Sequence, residues 1–296
     1  MNIDPKLIDV FPDDHDGYPV EFEAEDNAAS YRDAAGDTAR DFPDHLWIEP
    51  REWKEFAAEA KANKTRPIDY MDRFTNQGGG NGIRGTHECT CHALEGNALC
   101  AMNRQKMQAI GPPEPKVFLP ASRTRGSVWL SCVSIYAEAN PRQWGGANVR
   151  QVMEIAVDRG FLPDKIQPKE YNFKHDLIGT CGAGNVTQSR GSWVSVNQFP
   201  DGWKETARHF RPLEIIIPTS YEQCVCLVLH GRAVSVGRSG HAVVYSFWDG
   251  EERVMGYRDS YDVIRYDSER TVKGCARTGY SIATMVMPDN YDLPAG

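Results

Sequence analysis

The sequence predicts an α+β fold with a helical first lobe, a second lobe built on an antiparallel β-sheet or barrel, and an active-site cleft between them. Apolar residues recur at helical spacing between positions 53 and 160, whereas β-branched apolar runs fill positions 213–287. Helices and strands segregated along the chain in this way are typical of α+β folds. The 296 residues, of which 41% are apolar and 25% charged, match the composition of a globular protein.

Four helices are predicted in the first half, each from apolar residues three or four positions apart. The last of them ends at a glycine, which permits the left-handed conformation of a helix cap. The four patterns are a short helix with Trp53, Phe56, Ala57 and Ala60 inward, a longer one from about Cys89, one over Leu130 to Ala137, and one from Ala147 to Gly160.

The second half predicts strands, because its apolar runs are short and rich in β-branched residues. A turn near Asp249 and Gly250 would fold one strand back onto the next as a hairpin. The predicted strands are LEIII at 213–217, AVSV at 233–236, HAVVYSFW at 241–248, RVMGYR at 253–258 and YSIATMVM at 280–287.

The chain is predicted to divide into an N-terminal extension, residues 1–66, and a catalytic domain, residues 67–296. The first 46 residues are acidic and poorly periodic, so they are expected to form a covering segment rather than a core. The extension would act as an inhibitory pro-segment or as a docking arm for an assembly partner.

Composition also limits the partners and the location that we expect. The net charge of −8 and the scattered basic residues argue against a nucleic acid partner. No apolar run reaches the roughly 18 residues of a membrane span, and the start of the chain lacks the pattern of a signal peptide. We therefore expect a cytoplasmic or virion-associated protein without a membrane partner. Eight cysteines in such a chain are expected to be reduced, with one of them chemically active.

Three residues could form a nucleophile, a base and an orienting group. A thiol at a helix N-terminus is well placed to act as a thiolate, and Cys89 stands at a predicted helix start. His241 begins one predicted strand, and Asp259 follows the next, so the hairpin between them would bring Asp259 beside the imidazole. Cys91 is the alternative nucleophile.

Six segments in order resemble the papain-like cysteine peptidases: IDYMDRFTNQGGGN, ECTCHALEG, WGGANVRQVMEIAVDRGFL, GHAVVYSFW, RDSYD and GCARTGYSIATMVMP. The resemblance implies the two-lobed fold and a Cys89, His241, Asp259 triad, with Asp259 where the family has asparagine. It also implies that Gln77 donates to the oxyanion. His241 lies 152 positions after Cys89, close to the roughly 130 to 150 residues expected in this family.

The resemblance implies a peptidase that hydrolyses a peptide or protein substrate through a thioester and needs no cofactor. Two alternatives stay open: a structural or binding protein that keeps the fold, for example in a virion, and a cell-wall peptide hydrolase or acyl transferase with the same triad. A metal site is not expected, because the cysteines near Cys89 lack paired Cys-x-x-Cys spacing. GNGIRG at 80–85 matches a dinucleotide motif, but no strand precedes it.

Overall fold

The computed structural model describes residues 3–9, 28–71, 89–110, 130–131, 133–139, 147–163, 196–238, 241–259 and 263–286. Helices and strands are both present, and the strands are concentrated in the second half, which confirms the α+β class. In the described ranges the helices are α1 Ala28–Ala35, α2 Trp53–Ala62, α3 Pro67–Tyr70, α4 Cys89–Ile110, α5 Val133–Ala139, α6 Val149–Arg159, α7 Trp203–Arg208, α8 Tyr221–Leu229 and α9 Glu269–Cys275.

In the described residues, the strands form three sheets. Strands β1, β4 and β9 make one, β2 and β3 a second, and β5 to β8 a third, in that order. Their bounds are β1 Ala39–Asp41, β2 Leu130–Ser131, β3 Leu162–Pro163, β4 Pro212–Ile217, β5 Val234–Arg238, β6 His241–Asp249, β7 Val254–Arg258, β8 Ile264–Ser268 and β9 Ser281–Met285.

The four-stranded sheet is antiparallel throughout, as the sequence predicts, and the hairpin between β6 and β7 turns at the expected position. Asp249 Oδ1 closes that turn by accepting from the backbone N–H groups of Glu251 and Glu252, each at 3.0 Å. Strands β5 and β8 are the two edges of this sheet in the described residues, so it is an open sheet rather than a closed barrel.

One helix prediction needs correction. Leu130 and Ser131 form the short strand β2, paired with β3, and the helix expected from Leu130 starts only at Val133. The other three predicted helices are present. The last ends at Gly160, whose φ of 81° is the backbone conformation that glycine supplies.

The buried apolar side chains form two clusters. The first gathers around α4 and includes α1, α5 and α6, and the second lies among α2, α8, α9 and the four-stranded sheet. Strand β6 belongs to both, because Ala242 and Val244 join the first cluster whereas Val243 and Tyr245 join the second. Helix α4 and strand β6 therefore meet where the two clusters adjoin.

Residues 28–66 contribute to both clusters. Tyr31 is fully buried and stacks on Tyr280 with ring centroids 6.2 Å apart. Strand β1 pairs in parallel with β4, and Trp53 packs edge-on against Trp248 at 5.5 Å. Residues 28–66 of the predicted N-terminal extension thus supply core side chains and a strand of a sheet.

Candidate active site

Helix α4 carries both candidate thiols. Cys89 is its first residue and is buried, at 2% exposure. Cys91 is also buried. It lies two residues further along the helix, about 200° around the axis from Cys89. It interacts electrostatically with Tyr280, next to β9. Cys89 instead interacts with His241 through a hydrogen bond and through charge. The structure thus brings Cys89, rather than Cys91, to the imidazole.

Strands β6 and β7 bring His241 and Asp259 together. His241 is the first residue of β6, and Asp259 directly follows β7, where its backbone N–H donates to the carbonyl of Val263 at 2.7 Å. His241 Nε2 lies 2.8 Å from Asp259 Oδ1, within hydrogen-bond distance. Because Nε2 faces Asp259, Nδ1 is the ring nitrogen on the opposite side of the imidazole.

The electrostatics of His241 favour its charged form. Burial disfavours the imidazolium, but the charge interaction and hydrogen bond with Cys89 and those with Asp259 outweigh burial and raise the pKa of His241 to about 9. A protonated imidazole at this position is able to give its proton to a leaving group.

Asp259 is held between two basic side chains. Burial raises the pKa of a carboxyl, but the His241 hydrogen bond and charge, together with Arg265 and Arg238, hold the pKa of Asp259 below its ordinary value. Arg265 Nε on β8 lies 3.0 Å from Asp259 Oδ2, as an ion pair rather than an aligned hydrogen bond. The carboxylate in contact with His241 is therefore ionised.

A second buried ion pair lies next to this group. Arg238 on β5 is the cross-strand partner of His241 and pairs with Asp267 on β8. The Asp267 carboxylate also accepts from the Tyr245 hydroxyl at 2.7 Å, and the Arg238 guanidinium lies 5.0 Å from the Tyr257 ring centroid. Burial disfavours the charge on Arg238, but Asp267 outweighs it and raises the pKa of Arg238.

Sequence reasoning missed Arg265, Arg238 and Asp267. Two of the three lie on β8, a strand that the sequence patterns did not predict, and their contacts depend on the register of β7 with β8. The alternation in IRYDS is the one signal that could have indicated this strand.

The remaining candidates are placed as follows. Gln77, the predicted oxyanion donor, lies outside the described residues. The other described cysteines are buried, as expected of packing residues, and burial raises the pKa of Cys100 and of Cys275 to about 11 each. In the described ranges no group of three or more His, Cys, Asp or Glu side chains is arranged to hold a metal ion. None of the helices described there is long and apolar enough to cross a membrane.

No protein-family model matches the chain, and no curated protein matches it in sequence. Several solved structures of cysteine proteases are similar to it. Xylellain, a cysteine protease from Xylella fastidiosa, is 14% identical with a TM-score of 0.46, over 72% of this chain and 82% of that one. Procathepsin B S9 from Trypanosoma congolense is 11% identical with a TM-score of 0.41, over 78% and 76%.

A third similar structure is procathepsin L 3 from the larval midgut of Tenebrio molitor, 8% identical with a TM-score of 0.36, over 86% of this chain and 97% of that one. These structures are papain-like cysteine proteases, the family that the sequence motifs resemble.

Proposed function

We propose that the chain is a cysteine-type peptidase in which Cys89 is the nucleophile, His241 the acid and base, and Asp259 the group that orients the imidazole. The observation that carries the proposal is the 2.8 Å contact between His241 Nε2 and Asp259 Oδ1, with the thiol of Cys89 hydrogen-bonded to the same imidazole. Cys89 is also the first described residue of α4, the helix that packs against the strand bearing His241.

The proposed reaction passes through a thioester. The Cys89 thiolate attacks the carbonyl carbon of the scissile peptide bond, and the C–N bond breaks as protonated His241 gives its proton to the leaving amine. Water then attacks the thioester with His241 as general base, which releases the acid and restores the thiol. Gln77 and a backbone N–H are proposed to stabilise the oxyanion, as the family resemblance implies.

Asp259 has a defined part in each step. Its Oδ1 fixes the orientation of the ring, so that Nδ1 faces the thiol, and its negative charge stabilises the imidazolium that the first step consumes. The interaction between the Asp259 carboxylate and the imidazolium is strong because both groups are buried and little water screens it.

Peptide hydrolysis is tested with the full chain, a denatured protein substrate and mass spectrometry of the products. We expect new peptide termini with the native chain and with Cys91→Ala, and a loss of at least about a hundredfold with Cys89→Ala. Loss of activity in Cys91→Ala alone would transfer the nucleophile role to Cys91. Products whose new carboxyl end is joined to an added amine would indicate an acyl transferase.

A chain that cleaves neither proteins nor cell-wall peptides would favour the structural or binding alternative. In that case a partner of the N-terminal segment would be the next property to examine.

A further inference from the structure

Two arginines from separate parts of the chain converge on one backbone carbonyl. Arg104 on α4 donates through Nη2 to the carbonyl oxygen of Ala283 on β9, and Arg232 donates through Nη1 to the same oxygen at 3.4 Å. Arg104 is 5% exposed, and Arg232 is half-buried. Two guanidinium groups that share one acceptor lie close enough to repel each other strongly in a poorly solvated setting.

A left-handed turn holds Arg232 and a third basic side chain, His230, at this place. Gly231 has a φ of 71° at the end of α8, and a Cβ there would lie 2.5 Å from the carbonyl oxygen of Thr65. The Gly231 N–H donates to Val228 at 3.0 Å, and the Cys100 thiol on α4 lies 3.5 Å from the Gly231 carbonyl. Both flanking residues are therefore fixed against α4, the helix that carries Arg104.

All three basic groups have an unused buried nitrogen. Arg104 Nε, Arg232 Nε and His230 Nε2 are shielded from solvent and have no hydrogen-bond partner. None of the three pairs with a carboxylate in the described part of the chain. Glu214 attracts Arg232 weakly, but its carboxylate lies 3.8 Å from Arg40 and accepts from Thr284 at 3.3 Å.

The mutual repulsion is reflected in the acid–base behaviour of the cluster. Burial, with Arg104 next in size, lowers the pKa of Arg232 to about 10, and burial also lowers the pKa of Arg104. The pKa of His230 is lowered by burial, and a hydrogen bond with the Leu46 backbone acts in the opposite direction. Arg232, His45 and Arg104 add to the lowering. The partial negative charge at the C-terminal end of α8 offsets some of this charge but supplies no formal anion.

We infer that Arg104, His230 and Arg232 form a binding site for a small tetrahedral oxyanion of the phosphate type. Buried cations with unused donors are costly, and an oxyanion would accept from several of these nitrogens while neutralising their charge. Guanidinium groups match the oxygens of phosphate better than any other side chain. Arg104 lies fifteen residues beyond Cys89, or about 22 Å along α4, so this site is separate from the candidate active site.

Thermal unfolding of the full chain in inorganic phosphate tests the inference without any measurement of activity. At about 5 mM phosphate, compared with sodium chloride of equal ionic strength, the general salting effect of phosphate is negligible. Selective binding to the folded state should raise the Tm by about 3 °C. Glycerol phosphate is the second probe, because a rise with it as well would show that the site also admits phosphate esters.

Arg232→Gln should abolish the phosphate effect and weaken binding at least tenfold by calorimetry, whereas Arg277→Gln, which removes the same charge from an exposed position, should leave both unchanged. Should Arg232→Gln not fold, calorimetry of phosphate binding to the native chain and to Arg277→Gln decides the matter. Any of three results would overturn the inference. The native chain could have the same Tm in phosphate as in chloride, Arg232→Gln could show the same rise in Tm as the native chain, or calorimetry could detect no heat of phosphate binding to the native chain.

Discussion

At the scale of single residues, Asp259 is a carboxylate shared by two cations. Its Oδ1 faces His241 and its Oδ2 faces Arg265, and both neighbours favour its ionised form. An ionised Asp259 in turn favours the protonated form of His241. The asparagine that the family resemblance implies at this position would be neutral and would lack that effect, so the aspartate is expected to strengthen the thiolate–imidazolium pair.

Asp259→Asn should lower the pKa of His241 from about 9, because the charge that stabilises the imidazolium is removed. The alkaline limb of the pH profile for peptide hydrolysis should move to lower pH, with a loss of at least about tenfold in kcat/KM at pH 8. An NMR titration of the His241 imidazole measures the pKa directly. Asp201→Asn, at an exposed position, is the control, and an unchanged His241 titration in Asp259→Asn would contradict the account.

Arg265→Gln should act in the opposite direction. With Arg265 gone, the charge of Asp259 is shared with one cation fewer, so the pKa of His241 should rise further and the alkaline limb should move to higher pH. The free energy of unfolding should fall by about 2 kcal/mol, because Asp259 is fully buried and loses an ion-pair partner.

The pH profile separates this positioning role from a purely structural one. Arg270→Gln at an exposed position should change neither the His241 titration nor the urea midpoint, whereas Arg265→Lys should restore part of the original profile. A loss of stability in Arg265→Gln without any shift of the His241 titration would show that Arg265 serves packing alone.

At the scale of elements, the sequence predicted the helix that begins with Cys89, the strand that begins with His241 and the strand that precedes Asp259. The helix shows apolar residues at helical spacing, and the strands are short apolar runs rich in β-branched residues. It did not predict α8 or β8. Helix α8, YEQCVCLVL, has all but two of its residues buried, so it lacks the amphipathic period that marks a helix. Strand β8 has exposed or half-buried side chains at four of its five positions, so its alternation is weak.

The site was predictable to the same extent. The residues proposed as nucleophile, base and orienting group were named from their order and from the elements that carry them, but the cations around Asp259 were not. Arg265 and Arg238 reach the site through strand register, which depends on tertiary packing and is not fixed by local sequence. For the same reason, the sequence did not predict how residues 28–66 pack into the core.

Trp53→Ala tests how far the segment before residue 67 is part of the folded unit. Trp53 is 3% exposed, packs on Trp248 and Tyr221, and donates to the carbonyl of Ile48 at 2.9 Å. Its truncation should lower the free energy of unfolding by about 3 to 5 kcal/mol in urea. Trp47→Ala, at 43% exposure, should cost less than about 1 kcal/mol.

The comparison of the two tryptophan variants bears on the proposal that residues 1–66 are a removable pro-segment. A pro-segment that leaves the mature domain intact should tolerate Trp53→Ala with little loss of stability in the remaining domain. A large loss would instead restrict any removable part to residues before α2.

At the scale of the whole molecule, the candidate site lies where α4 meets β6. Cys89 belongs to the cluster around the helices, and β6 contributes side chains to both apolar clusters. Packing between the two clusters thus sets the distance between thiol and imidazole. The side chains of Cys89 and His241 are both nearly fully buried. Burial strengthens the electrostatic interaction between them, and it limits the size of the reagents that reach them in this conformation.

The central claim is that Cys89 is a nucleophile activated by His241, and alkylation of the native chain at about pH 6 tests it most directly, because an ordinary thiol is mostly protonated there. A limiting amount of iodoacetamide, followed by peptide mapping, should label Cys89 first, leave Cys91 unlabelled, and lose its selectivity in His241→Ala. Slow labelling spread over several cysteines, or a rate at Cys89 that is unchanged by His241→Ala, would contradict the claim and favour a chain that keeps the fold without the chemistry.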